Sequence, residues 1–288
     1  MSDRRVLVCG AGLMGHGIAQ VLAAAGHRVA LYEPDIARAE AGRARIAASL
    51  ERALSKGKLT AAAREEQLGR ISVASSLAKA AAGAELIVEA VFEDEDVKRA
   101  LFRELDALAP PDAVMASNTS SISITRLATA VTPERRQSFV GMHFFSPVPV
   151  MPLVELIRGA ETNDETEGYV RDIAAELGKE VIVSRDRPGF IVNRILMPFL
   201  AEAMRAYEEG LGTAEDIDAG ARLGLNHPLG PLALADFIGL DVCLHIMEVL
   251  HAGFGAPHLA PPPVLRQLVD AGHLGQKTGR GFYTYPRD

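Results

Sequence analysis

Two titratable side chains, His143 and Glu155, stand twelve residues apart, with Pro147, Pro149 and Pro152 between them. An imidazole of ordinary pKa, near 6.5, both accepts and returns a proton at neutral pH. A carboxylate bonded to its far ring nitrogen fixes the tautomer and stabilises the imidazolium that proton uptake creates. The proline-rich turn can fold the chain back and bring the two together, which makes the pair a candidate acid/base unit for a hydroxyl group. On residue type alone a single histidine is as readily structural. The other seven, His16, His27, His227, His245, His251, His258 and His273, show no metal-ligand spacing, and no metal is expected.

The partner chemistry lies in a second motif. Gly10, Ala11, Gly12, Leu13, Met14 and Gly15 read GxGxxG, after an apolar run and before a helical pattern over 16–25. In such a loop the first glycine permits a tight turn, the second lets a diphosphate approach the backbone, and the third lets helix and strand pack closely. The helix N-terminus then offers free N–H groups to the phosphates. Glu33 follows Gly12 by twenty-one residues, where an acid accepts hydrogen bonds from the adenosine ribose. Asp35 adds a second negative charge, so a 2′-phosphate is repelled and NAD is expected rather than NADP. No kinase HRD or DFG set and no Walker lysine accompanies the glycines. Loss of a hydride to such a cofactor and of a proton to a nearby histidine is what oxidation of a secondary alcohol requires.

These residues need a frame. Short apolar runs at 5–9, 28–32, 86–90, 114–117, 139–143 and 181–183 alternate with amphipathic alanine-rich stretches, the form of βα units around a parallel sheet. The span of about 34–82 is too long for one crossover helix, and its Ala, Arg, Glu and Lys content suggests a projecting helical pair with Gly57 near the turn. Beyond Arg185-Asp-Arg-Pro188-Gly189 no strand pattern persists, and helices are expected at 190–209, 213–223, 231–250 and 263–271. The expected fold is an α/β Rossmann-type doubly wound sheet over 1–185, followed by an all-helical C-terminal domain over 186–288. His143 then ends a strand, on the side of the sheet where doubly wound folds bind ligands.

Composition narrows the classes. Hydrophobic residues make up 48% of the 288 and charged ones 23%, as in ordinary folded proteins. A net charge of -7 argues against nucleic acid or an anionic membrane as partner, so a polyanionic ligand needs local cations. No signal-type or membrane-spanning run is present, and a cytoplasmic location is expected. Cys9 and Cys243 fit neither a metal site nor a disulfide framework and read as packing residues.

Several longer motifs carry a resemblance that spans nearly the whole chain. They are Gly10-Ala-Gly-Leu-Met-Gly15-His-Gly-Ile-Ala-Gln20, Val88-Glu-Ala-Val-Phe-Glu93, Ser117-Asn-Thr-Ser-Ser121, and Gly141-Met-His-Phe-Phe-Ser-Pro-Val-Pro149 with Leu153-Val-Glu155. Further on come Arg187-Pro-Gly-Phe-Ile-Val-Asn-Arg194, Asn226-His-Pro-Leu-Gly-Pro231 and Lys277-Thr-Gly-Arg-Gly-Phe-Tyr283. On these motifs the sequence resembles the L-3-hydroxyacyl-CoA dehydrogenase family, including 3-hydroxybutyryl-CoA dehydrogenases.

The resemblance implies NAD-dependent interconversion of an (S)-3-hydroxyacyl-CoA and its 3-oxo form by a homodimer. It places the catalytic histidine on His143, its glutamate on Glu155, and substrate contacts on Ser120 and Asn193. Nicotinamide-side contacts fall on Glu93, Lys98, Ser120, Ser146 and Lys277, and contacts to the CoA adenine nucleotide on Ser49 and Lys56. Ser146 departs from the asparagine that many members carry at this position of the histidine motif.

By residue type alone, Ser120 and Ser121 equally suit capping of a helix starting near Ile122 or Ile124. The basic cluster of Arg52, Lys56 and Lys58 equally suits a solvated helix end, and Lys277 an ordinary surface position. Two further functions stay open from the fold plan: a dehydrogenase of small free hydroxy acids, and a non-catalytic NAD-binding structural protein.

Overall fold

In a computed structural model that describes residues 3–286, the chain opens with β1 (Arg5–Cys9), α1 (Leu13–Ala24) and β2 (Arg28–Tyr32). After a helical insertion come β3 (Ile71–Ala74), α4 (Leu77–Ala81), β4 (Leu86–Glu89), α5 (Glu95–Leu108), β5 (Val114–Ser117), α6 (Ile124–Ala128) and β6 (Phe139–Phe144). Every residue of β4, β5 and β6 is buried, as apolar runs covered on both faces must be. These strands join one eight-stranded sheet in the order β3-β2-β1-β4-β5-β6-β7-β8, parallel from β3 to β6. The strand order reverses between β1 and β4, which opens the crevice at the carboxyl ends where the glycine loop sits.

Two strands were not anticipated. β3 is a four-residue edge strand, mostly half-exposed or exposed, so it lacks the dense apolar signature of its neighbours. β7 (Leu153–Arg158) contains Glu155, whose charge interrupts the apolar pattern, and it runs antiparallel to β6. β8 (Glu180–Arg185), reached through α7 (Asp164–Glu176), pairs parallel to β7.

The span of about 34–82 contains the expected pair of helices, with Gly57 in the turn between them, and more besides. It holds α2 (Ile36–Ser55), capped by Asp35, and α3 (Ala61–Gly69), capped by Thr60, and then returns to the sheet as β3 and α4. One face of α2 is committed to the core: Ala39, Gly42, Ile46 and Leu50 are buried. A Cβ at Gly42 would lie 2.8 Å from the carbonyl oxygen of Ala11, so α2 is pressed against the glycine loop. Ile46 and Leu50 join the main core with Ile18, Leu22, Leu31, Val88 and Phe144. Full burial of such a side chain is worth about 1.5–3 kcal/mol, which outweighs helix propensity as the reason α2 holds.

The chain divides into two compact units, the first ending at Arg187 and the second beginning at Pro188. The second unit is helical: α8 (Val192–Glu208), α9 (Ala214–Ala219), α10 (Pro231–Ile238), α11 (Leu240–Phe254) and α12 (Pro263–Asp270). Its core gathers Met197, Leu200, Met204, Leu232, Cys243, Met247 and Leu265. The helix expected at 231–250 is broken at Gly239, whose φ of +105° no helix accommodates, into α10 and α11. Both cysteines are free and buried, and burial pushes both thiols up from their ordinary pKa.

Candidate active site

The hairpin β6–β7 brings the first pair together. His143 and Glu155 are directly opposite each other in the antiparallel register, so their side chains share one face. Nδ1 of His143 lies 3.1 Å from Oε2 of Glu155, and both residues are buried. A carboxylate only accepts, so Nδ1 carries the proton and Nε2 of the neutral ring presents its lone pair. On that side stands the hydroxyl of Ser120, 3.1 Å away. The ring of Phe145 packs on the imidazole at a centroid distance of 4.5 Å.

The turn between the strands is pinned from outside. Lys179, which follows α7, donates from Nζ to the carbonyls of Val148 (2.7 Å) and Met151 (2.6 Å). Burial lowers the pKa of that ammonium. Ser146, joined to Pro147 by a cis peptide bond, is exposed on this turn.

Ser120 belongs to a loop, 117–121, held by an ionic network beneath it. Glu93 Oε1 accepts from the Thr119 hydroxyl (2.6 Å), the Ser120 amide (2.8 Å), and the Ser121 amide and hydroxyl (3.2 and 3.1 Å). Its other oxygen lies 3.2 Å from Nζ of Lys98, which in turn donates to Glu89 at 2.5 Å. Glu89 also accepts from the Ser117 hydroxyl at 2.6 Å and the Val91 amide at 2.8 Å. Burial pushes the Glu89 carboxyl above its ordinary pKa against the opposing pull of Lys98 and these donors. Burial acts the same way on Glu93, but there Lys98 and the loop's donors outweigh it and hold that carboxyl below its ordinary value. Glu93 is half-buried, whereas Lys98 is 1% exposed and sits behind it. The helix-capping alternative for Ser120 and Ser121 is not what the loop does: α6 is capped by Ser123.

The glycine loop has the shape a diphosphate requires. A Cβ at Gly10 would fall 2.3 Å from the carbonyl of Ala90, and one at Gly15 only 1.8 Å from the carbonyl of Gly10. At Gly12 nothing lies within 4 Å, so the side that a phosphate must approach is open. Ala11 is buried, Met14 packs against the main core, and Leu13 is exposed beside the loop. Glu33, at the end of β2, accepts the amide of Ala11 at 3.0 Å and so sits against the loop. Asp35 is taken up as the cap of α2. The residues present fit NAD.

The remaining expected residues stand on other elements. Ser49 is half-buried on α2, and Lys56 is exposed at its carboxyl end. Asn193 is buried in the first turn of α8, and Lys277 is paired with Asp241 at 2.5 and 2.7 Å; both belong to the second unit. Three contributors escaped the sequence reading: Glu89, Lys179, and Asn118, whose Oδ1 accepts the Phe144 amide at 2.8 Å. Glu89 carried a signal, a lone acid closing the apolar run Leu-Ile-Val of a buried strand. Among the described residues no His, Cys, Asp or Glu group is arranged to hold a metal ion, and no helix is long and apolar enough to cross a membrane.

Comparison with known proteins bears on this geometry. Residues 5–187 match the NAD binding domain of 3-hydroxyacyl-CoA dehydrogenase and residues 189–285 its C-terminal domain. A 3-hydroxybutyryl-CoA dehydrogenase of Bradyrhizobium diazoefficiens is 50% identical over 282 residues, 98% of this chain and 95% of that one. The crystal structure of (S)-3-hydroxybutyryl-CoA dehydrogenase PaaH1 from Ralstonia eutropha superposes with a TM-score of 0.95 at 46% identity, covering 99% of this chain and 100% of that one. That of M. tuberculosis FadB2 gives 0.96 at 47% identity, with the same coverage. The chain belongs to the 3-hydroxyacyl-CoA dehydrogenase family, as its motifs implied, and is an NAD-dependent oxidoreductase.

Proposed function

We propose that this 3-hydroxyacyl-CoA dehydrogenase interconverts (S)-3-hydroxybutyryl-CoA and acetoacetyl-CoA, with His143 as its acid/base. The observation that carries the reading is the relay from Ser120 Oγ through His143 Nε2 and Nδ1 to Glu155. Bound NAD would supply the acceptor for the hydride that leaves C3 of the substrate. His143 Nε2 accepts the proton of the 3-hydroxyl, and the resulting imidazolium is stabilised across Nδ1 by Glu155. In the reverse direction the same nitrogen returns the proton to the 3-oxo oxygen. The Ser120 hydroxyl, within hydrogen-bond distance of Nε2, donates to the same substrate oxygen that Nε2 meets, from beside the ring nitrogen. The short-chain substrate is supported by the names of the relatives that match over nearly the whole chain.

Other roles follow from the resemblance together with the placement of each residue. Gly10 to Gly15 receive the cofactor's diphosphate and Glu33 its ribose; Glu93 and Ser146 face the nicotinamide side, with Lys98 supporting Glu93 from behind. Asn193 and Lys277 are assigned to substrate and cofactor on the resemblance, and Ser49 and Lys56 to the CoA adenine nucleotide. We place the enzyme in the cytoplasm as a homodimer. The second unit leaves Ile195, Leu211, Leu223, Leu225 and Phe237 between 55% and 83% exposed, an apolar load that favours a partner surface. Sedimentation as a monomer at micromolar concentration would refute the dimer.

The activity is tested by mixing the protein with acetoacetyl-CoA and NADH and following the reduced nicotinamide band. Loss of absorbance that depends on the thioester is expected. Equal loss with free acetoacetate, or none with either, would overturn the reading.

A further inference from the structure

Asn118 is the first residue beyond the paired part of β5. Its backbone amide donates to the carbonyl of Glu89 at 2.8 Å, which fixes it to the end of β4. On the other side the ladder of β5 with β6 stops at Ser117 opposite Gly141, while β6 runs on for three residues to Phe144. There the Asn118 side chain takes over from the ladder, with Oδ1 accepting the Phe144 amide at 2.8 Å. Only the oxygen of a carboxamide accepts, so this bond also fixes which way the group is turned and leaves two N–H donors on its other limb.

Those donors have no use within the fold. Asn118 is 8% exposed, and a polar group set so deeply is normally hydrogen-bonded. Among the described residues its Nδ2 meets no acceptor. Nδ2 nevertheless keeps contact with solvent. The result is a rigid donor at the carboxyl end of β5, held by its backbone on one neighbouring strand and by its oxygen on the other.

The path of the cofactor crosses this point. The glycine loop that receives the diphosphate follows β1, and His143 stands on β6, three strands away in the order β1-β4-β5-β6. Neighbouring strands lie about 4.8 Å apart, so the two are roughly 14 Å from each other across the sheet. The nicotinamide half has to cover that interval to bring its ring to the alcohol that His143 deprotonates, and it therefore crosses the ends of β4 and β5. Glu93 follows β4, and Asn118 is what β5 offers.

We propose that Asn118 binds the cofactor: Nδ2 donates to an oxygen of the nicotinamide half, at its carboxamide or its ribose, while Oδ1 ties the same amide to the strand of His143. One carboxamide thus sets the nicotinamide against the histidine strand. The proposal rests on the reading above of NAD as hydride acceptor beside His143, and not on which acyl-CoA is oxidised.

The test reads binding without substrate. Dissociation constants are measured for NADH, by nicotinamide fluorescence, and for ADP, by calorimetry; ADP carries the adenosine and the diphosphate but not the nicotinamide half. Asn118→Asp keeps an oxygen for the Phe144 amide and removes the donor, whereas Asn118→Ala removes both. In both variants NADH is expected to bind about 3- to 10-fold more weakly, the scale of one hydrogen bond, with ADP bound as by wild type. Equal weakening of the two ligands assigns Asn118 to support of the sheet, or the aspartate charge to repulsion of the diphosphate, and overturns the proposal. NADH bound as tightly as by wild type in either variant overturns it too, since the donor is gone from both. Should the alanine variant fail to fold, the aspartate variant decides alone. A wild type that binds NADH but leaves acetoacetyl-CoA unreduced strikes the functional reading, while the binding comparison still decides the role of Asn118.

Discussion

Replacing Lys98 by methionine removes the cation between two carboxylates while keeping the length of the side chain. In the folded protein Lys98 is 1% exposed, 2.5 Å from Glu89 and 3.2 Å from Glu93, and Glu89 itself has no exposed surface. Removing one partner of a buried pair costs about 3–5 kcal/mol, because the remaining charge is left uncompensated in a low-dielectric site. At ~2–4 °C per kcal/mol for a unit of this size, the midpoint of thermal unfolding should fall by roughly 6–20 °C. The loss should depend on pH. Burial already raises the Glu89 carboxyl above its ordinary pKa, and Lys98 opposes that shift, so its removal raises the folded-state value further. A folded-state pKa above the unfolded one means that the folded form binds the proton more tightly. Its contribution is fully present below the unfolded pKa and disappears as pH rises through the folded one. The destabilisation of Lys98→Met should therefore be smaller at about pH 5 than at about pH 8. Glu89→Gln/Lys98→Met, which leaves no charge unpaired at Glu89, should recover much of it. Urea unfolding of the three proteins at both pH values measures this. A loss under about 1 kcal/mol, a loss independent of pH, or a double variant no more stable than Lys98→Met would refute the reasoning.

His143→Gln should lower turnover by about 10²–10⁴-fold while NADH binding, followed by nicotinamide fluorescence, is kept. Glu33→Ala should relax the preference for NAD over NADP, read as the ratio of kcat/KM for the two cofactors, because the carboxylate against the glycine loop is the one proposed to meet the ribose and repel a 2′-phosphate. Ser146→Asn should keep most activity, since the position is exposed and a larger amide extends into solvent. Ser146→Ala should cost about 1 kcal/mol in kcat/KM, the scale of one neutral hydrogen bond.

The sequence shows clearly those parts of the molecule whose physics is local. Strand, glycines, helix and acid at 5–33 lie within one βαβ unit, and the apolar runs of β4, β5 and β6 show on their own because both faces are covered. β3 escapes because an edge strand half-exposed to solvent has no dense apolar signature. The break at Gly239 escapes because a helix that is apolar nearly all round, Leu-Ala-Leu-Ala on one side and Val-Cys-Leu-His on the other, gives no phase change to mark it. Lys98 reads as a cofactor contact by motif, yet the fold buries it beneath Glu93, and only the three-dimensional placement of Glu89 shows why.

The direction of β7 is what brings the proposed acid/base pair together. A parallel neighbour needs a crossover of a dozen or more residues, usually a helix, before its strand can begin. Here eight residues separate Phe144 from Leu153, and the chain returns antiparallel with His143 opposite Glu155. His143 and Glu155 therefore project from adjacent, paired strands, where their separation is fixed by the sheet. Ser120, by contrast, projects from a loop. Its position against Nε2 depends on Glu93 accepting the amides of Ser120 and Ser121 and the Thr119 hydroxyl, and on Lys98 and Glu89 holding Glu93. The buried ionic network thus does for the loop what backbone pairing does for the hairpin. A substitution in the network should move Ser120 relative to His143, whereas the same substitution leaves the His143–Glu155 distance to the sheet.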